Sequence, residues 1–291
     1  MTTEAASSPS IDPKVILEGQ KKLASFEGPG LTSKKMVKVD LYDAPAGSGI
    51  VFLLQSETAT VYVPATTASV VNTMRNVVLG VGKERLCIVE HFLCATSLWG
   101  LEDLYVLVNG PEMPLADGSA LLWIDLFKKG GIAQRKMVSD ITLPHLVEVI
   151  KGDRSILAIP DEKFSVTYLM DWKHPKIGQI WKSWDLSRDI SEIYEARTFG
   201  TLKEHQMLGL VNDVVSLTDD DFTMPLNSPD EPVRHKLLDL IGDLALVGVN
   251  PLRIKARFIS IKGGHEMDVD IAKKLSVLLA NAVSPACATG V

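Results

Sequence analysis

From residue 15 to residue 63 apolar and polar positions alternate in short β-rich runs, at 37–41, 49–54 and 60–63. Gly, Pro and Ser separate them, and the pattern predicts strands. The period then changes. Ile88, Phe92, Ala95 and Trp99 recur at helical spacing and predict a helix over 86–99. Gly100 stands where a left-handed C-terminal cap is usual. A strand over 104–108 follows, then a turn-rich stretch at 109–114. A helix opened by Asp117-Gly118-Ser119 runs to about 129 and ends on Gly130-Gly131.

The second half repeats this order. Strands are predicted at 146–150, 155–159 and 164–170, then a helix over 187–196 and an irregular stretch. The strongest helix covers 232–247, with Pro232 suited to its first turn. A strand over 252–261, the turn Gly263-Gly264 and a helix over 268–282 close the unit. Each half also places Val-x-His near the start of a main helix, as Val89-Glu90-His91 and Val233-Arg234-His235. An ancient duplication and a chance likeness of two ordinary α+β units both fit. The predicted division is a flexible tail at 1–13, an N-terminal α+β domain at 14–135, a linker at 136–143, a C-terminal α+β domain at 144–283 and a tail at 284–291.

Length and composition agree with two domains: 291 residues, 46% of them apolar. The net charge of −6 provides no global positive field for nucleic acid or anionic headgroups, so no nucleic-acid partner is expected. Three cysteines, Cys87, Cys94 and Cys287, make no disulfide framework; Cys87 and Cys94 sit in apolar sequence as packing residues. The first ten residues have neither a basic start nor an apolar run, so no secretory or mitochondrial signal is expected. Glu90, His91, Glu102 and Asp103 interrupt the richest apolar stretch, so no membrane span is expected either.

Candidate chemistry concentrates in the strongest helix. At about 100° per residue, Val233, Leu237, Leu240, Ile241 and Leu244 share one face, and His235, Asp239 and Asp243 stack on another, with Lys236 on their flank. A His and a carboxylate one turn apart can ligate one metal. A solvated face carrying a His–Asp pair has the same spacing. Glu90-His91, Gly263-Gly264-His265 and Ala196-Arg197-Thr198-Phe199-Gly200 are each unremarkable alone.

Together and in this order, these segments resemble the UDP-3-O-acyl-N-acetylglucosamine deacetylases, from about Val15 to Val283. The resemblance is carried by Val89-Glu90-His91, the run Gly110-Pro111-Glu112-Met113-Pro114-Leu115-Ala116-Asp117-Gly118-Ser119-Ala120, Ala196 to Gly200, Val233 to Asp243 and Gly264-His265. Arg75-Asn76 and His174-Pro175 also fit.

The resemblance implies two α+β domains, each a mainly antiparallel sheet with helices on one face, the helices packed between the domains. It implies a catalytic Zn²⁺ held by His91, His235 and Asp239, with a fourth position open to water. Glu90 matches the general base. His265 matches a general acid or electrostatic stabiliser, and Asp243 would orient its imidazole. Thr198 and Lys236 match groups that hydrogen-bond the oxyanion or the substrate, and Phe199 matches one that packs against the substrate. The implied reaction is hydrolysis of the N-acetyl group of a UDP-linked acylated amino sugar in lipid A biosynthesis, by a cytoplasmic monomer. By position, Lys262 and Arg197 are candidates to meet the diphosphate.

The pattern departs from the family in two places. Gly30-Leu31-Thr32-Ser33-Lys34 replaces the usual Gly-Leu-His-Ser-Gly, which puts the role of that His in question. The stretch 201–227 is shorter and more acidic, with Asp219-Asp220-Asp221. There Leu208, Leu210, Val214 and Val215 would line a reduced acyl groove, which predicts a changed acyl preference. The alternative readings are a non-catalytic paralogue that binds a sugar nucleotide or protein, and a deacetylase of another N-acetyl sugar.

Overall fold

The computed structural model describes residues 12–55, 60–211 and 213–283. Of the predicted tails, only residues 12 and 13 fall among them; Cys287 lies outside. The chain is α+β. Among the described residues seven helices are formed: α1 (Pro13–Leu17), α2 (Glu90–Trp99), α3 (Leu121–Lys129), α4 (Ser191–Tyr194), α5 (Leu202–Leu208), α6 (Glu231–Leu244) and α7 (His265–Val283). The first half supplies strands β1 (Lys22–Pro29), β2 (Met36–Asp43), β3 (Ile50–Gln55), β4 (Thr60–Pro64), β5 (Val70–Asn72), β6 (Val78–Val81), β7 (Glu84–Cys87) and β8 (Leu104–Asn109). The second supplies β9 (Ile141–Thr142), β10 (Val147–Lys151), β11 (Arg154–Pro160), β12 (Ser165–Trp172), β13 (Gly178–Asp185), β14 (Phe199–Thr201), β15 (Val215–Leu217) and β16 (Ile254–Ile261).

Two main sheets share one plan. The first runs β1-β2-β8-β3-β4 and the second β10-β11-β16-β12-β13. In both, the last strand inserts at the centre and makes the one parallel pairing along the path, β3 with β8 and β12 with β16. In both, the strand after the helix that carries the Val-x-His segment is that central strand. The likeness of the halves therefore extends from element order to topology.

The strands bury alternate residues, as a sheet with one covered face must. Val37, Val39 and Leu41 point inward from β2, and Ile254, Ala256 and Phe258 from β16, all without exposed surface. Phe92 fixes α2 to its sheet, with ring centroids 5.8 Å from Phe52 and 5.0 Å from Trp123 of α3. Every residue of α2 is buried, its polar ones included. A helix buried all round has a neighbour on each side, and here the second neighbour is α6.

Several sequence expectations need correction. The helix predicted over 86–99 begins only at Glu90. Residues 84–87 form β7, which pairs with β6, and Ile88 turns the chain at φ 62°. The helix expected over 187–196 shrinks to α4. The last helix starts at His265 rather than 268. The irregular stretch at 201–227 contains α5 and β15, and β15 pairs with β14. The side chains of His235, Asp239 and Asp243 share a polar face of α6, yet that face is not solvated. All three are at most 3% exposed, because α6 lies between its own sheet and α2.

Candidate metal centre and active site

The first turn of α2 and the middle of α6 meet where the two halves join. Gly242 permits the approach: a Cβ there would lie 2.1 Å from the carbonyl oxygen of Glu90. The contact brings together His91 of α2 and His235 and Asp239 of α6. One ligand-capable atom from each lies within 4.8 Å of the others, and all three residues are buried. The imidazole centroids are 5.2 Å apart. Each ring is held from behind through Nδ1, His91 on the carbonyl of Ser119 at 3.3 Å and His235 on that of Ala196 at 3.0 Å. With Nδ1 so engaged, Nε2 carries the free lone pair, the arrangement that orients a histidine for a metal.

The protonation preferences suit a cation. Burial and the neighbouring His235 push His91 down to about 3, and burial lowers His235 as well. Burial alone would raise Asp239, but His235 and Lys236 outweigh it and hold the carboxyl far below its ordinary range. Lys236 Nζ lies 2.7 Å from one oxygen of Asp239, and His235 Nε2 lies 3.3 Å from the other. Two neutral imidazoles and one carboxylate form the donor set that a hydrolytic zinc uses, so these residues fit the ion.

Around this cluster stand the other predicted residues. Glu90 is 2% exposed and accepts from the backbone N–H of Val77 at 3.1 Å. Burial raises its carboxyl, while His265 pulls it back. His265 opens α7 and pairs through Nδ1 with Asp243 at 2.7 Å. Burial would lower this imidazole, but Asp243 and Asp239 prevail and raise it to about 10. Phe199 sets its ring edge-on to His235, with centroids 6.0 Å apart, and Lys236 Nζ sits 5.7 Å from its centroid. Thr198 is fixed by its N–H, which donates to the carbonyl of Gly118 at 2.6 Å.

A cavity of about 230 Å³ leads away from the cluster. Glu90, His91, Thr198 and Phe199 stand at one end, and Leu208, Leu210 and Val214 line its side. Val215 is absent from that lining and packs on β15 with 1% exposure. Thr32 lines the cavity, and its hydroxyl and N–H both donate to buried Glu112. Arg75 and Asn76 line it too, with Arg75 3.7 Å from Glu204 of α5. The two candidates for a diphosphate are already paired. Arg197 holds Glu231 at 2.8 Å, and Lys262 lies 2.8 Å from Asp171 and 3.1 Å from Asp153. His174 is turned to the carbonyl of Thr218 and does not line this cavity.

Sequence reasoning missed Asp268, a carboxyl 1% exposed on the first turn of α7. The sequence pattern places the helix start at 268 and gives this residue no role. Its spacing of i+3 from His265 was the signal available.

Comparison with known proteins agrees with this geometry. The family model described as UDP-3-O-acyl N-acetylglycosamine deacetylase matches residues 20–277. Three curated relatives bear the name UDP-3-O-acyl-N-acetylglucosamine deacetylase. That of Nostoc is 32% identical over 268 residues, covering 86% of this chain and 95% of the relative. That of Leptospira biflexa is 33% identical, covering 86% of each chain. That of Myxococcus xanthus is 34% identical, covering 87% of this chain and 84% of the relative.

Proposed function

Because the chain belongs to the UDP-3-O-acyl N-acetylglycosamine deacetylase family, we propose that it hydrolyses the N-acetyl group of a UDP-linked 3-O-acyl-glucosamine, releasing acetate, in lipid A biosynthesis. The observation that carries this reading is the convergence of His91, His235 and Asp239 from the two halves, with His91 lining a neighbouring cavity. Zn²⁺, held by these three residues, supplies Lewis acidity that polarises an amide carbonyl and makes water nucleophilic near neutral pH.

The chain's own groups then divide the proton work. Glu90, beside ligand His91, takes the proton of the attacking water. The amide-cleaving step needs a proton on the leaving nitrogen, and His265 is the group that carries one, since Asp243 keeps its imidazole charged over the neutral range. Lys236 and Thr198 border the cluster as donors for charge developing on the acetyl oxygen. Phe199 packs against the sugar, and Leu208, Leu210 and Val214 take the start of the acyl chain.

The test is direct. Protein purified from a zinc-supplemented culture is expected to hold one zinc per chain and to release acetate from UDP-3-O-acyl-N-acetylglucosamine. Zinc-loaded protein that releases none from any UDP-N-acetylglucosamine derivative would be a binder instead.

A further inference from the structure

Beside Leu208, Leu210 and Val214 the cavity wall carries an imidazole, that of His205 on α5. The residue is 8% exposed. Its ring is fixed from behind: Nδ1 lies 2.7 Å from Oγ of Ser216 on β15, a residue without exposed surface. Gly200 makes the room for it. A Cβ at that position would lie 2.6 Å from Nε2 and 3.1 Å from Cε1 of the ring. The backbone of Gly200 is not left-handed, so space and not conformational freedom requires the glycine.

Among the described residues no group bonds Nε2 of His205. It is not sealed in protein either, as the unpartnered oxygens of Asp268 are, and so it opens on the cavity. Thr32 and Arg75, polar members of the same wall, already face Glu112 and Glu204. A polar nitrogen covered by methylene groups without a partner weakens binding, so this wall selects a ligand with an oxygen at that point. The place is defined by the chain. Gly200 follows Phe199, whose ring centroid lies 6.0 Å from that of His235. His205 thus packs one residue beyond the group read above as meeting the sugar. In the proposed substrate the acyl ester is joined to the ring carbon next to the one that bears the acetamide. With the amide at the cluster, the ester lies where the sugar gives way to the acyl chain.

We propose that His205 is a specificity-determining residue for the acyl linkage: its Nε2–H donates to the carbonyl oxygen of the 3-O-acyl ester, so that the site selects an ester over an ether that carries the same chain. A hydroxyl donates as readily as it accepts, and when Ser216 donates to Nδ1 the ring carries its proton on Nε2. Burial lowers this imidazole, which favours the neutral ring that such an arrangement needs. The inference rests on the substrate reading given above.

The experiment measures binding by calorimetry in full-length, zinc-loaded protein. The probes are the deacetylated product, UDP-3-O-acyl-glucosamine, and its 3-O-alkyl ether of equal chain length. The parent is expected to bind the ester about tenfold more tightly than the ether, because a site built to bond an oxygen rejects the analogue that lacks it. His205→Leu should bring that ratio to about one, whereas His205→Gln, which keeps an N–H at similar reach, should retain a several-fold preference. A parent with equal affinity for the two probes, a Leu variant that keeps the parent's ratio, or a Gln variant as indifferent as Leu overturns the proposal. Should the Leu variant not fold, the ratios of the parent and of His205→Gln decide. Acetate release from the N-acetylated ester is read separately. Its absence in a parent that prefers the ester would sink the deacetylase reading and leave this inference standing. Acetate release without any preference for the ester would sink only the role of His205.

Discussion

Glu90 and His91 are adjacent, yet their side chains have different tasks, and substitution separates them. On the proposed reading, Glu90→Ala removes a base and no ligand. It is expected to keep its zinc by elemental analysis while turnover falls about a hundred- to ten-thousand-fold. His235→Ala should lose both, since it removes a donor from the cluster. The residues that meet in the cluster were legible because one short motif on one helix carries two of them, and because the segments occur in the family's order. Asp268 was not legible. It is buried on the first turn of a helix that begins three residues earlier than the sequence pattern suggests. Residue patterns mark the face of a helix, but they do not say what covers that face.

At the scale of elements, the decisive contact is the crossing of α2 and α6. Gly242→Ala places a methyl group against the carbonyl of Glu90, which belongs to backbone and cannot turn aside. The helices must separate, at about 1–3 kcal/mol of stability, and bound zinc should fall with them; denaturant titration and zinc content measure both. Arg197 is a second case. Its guanidinium and backbone N–H both bond Glu231, which is 2% exposed at the start of α6. Arg197→Met would leave that carboxylate buried without a cation, at about 3–5 kcal/mol. Lys262→Met should be nearly neutral by the same measurement, because its pairs with Asp171 and Asp153 lie at the surface and are screened by solvent.

The same pair has a pH signature. Burial would raise Glu231, but Arg197 and two backbone N–H groups hold its carboxyl below the ordinary value. A lowered folded value stabilises above the unfolded one, about 4.3, and the contribution is lost as the pH falls through the folded value. Acid unfolding of Arg197→Met should therefore lack that loss. None of this could be read from 196–200, where the sequence shows an Arg but not the carboxylate, 34 residues on, that it neutralises.

For the whole molecule, the proposed cation, held by residues of both halves, would link them. Saturating zinc at about a thousand times Kd would add about 4 kcal/mol, and chelation is expected to lower Tm by roughly 6 °C. His91→Ala should abolish that difference, and a chelation shift that persists in this variant would place the ion elsewhere. The two-part architecture was legible from strand and helix order. The shared strand plan was not, because the central position of β8 and β16 is a matter of pairing rather than of local pattern. One consequence concerns the chain while it is being made. Because neither half contains the full set of donors, a nascent or partly melted chain has no competent centre. On the proposed reading, amide cleavage is thus withheld until folding is complete, and the protein certifies its own assembly before it can act.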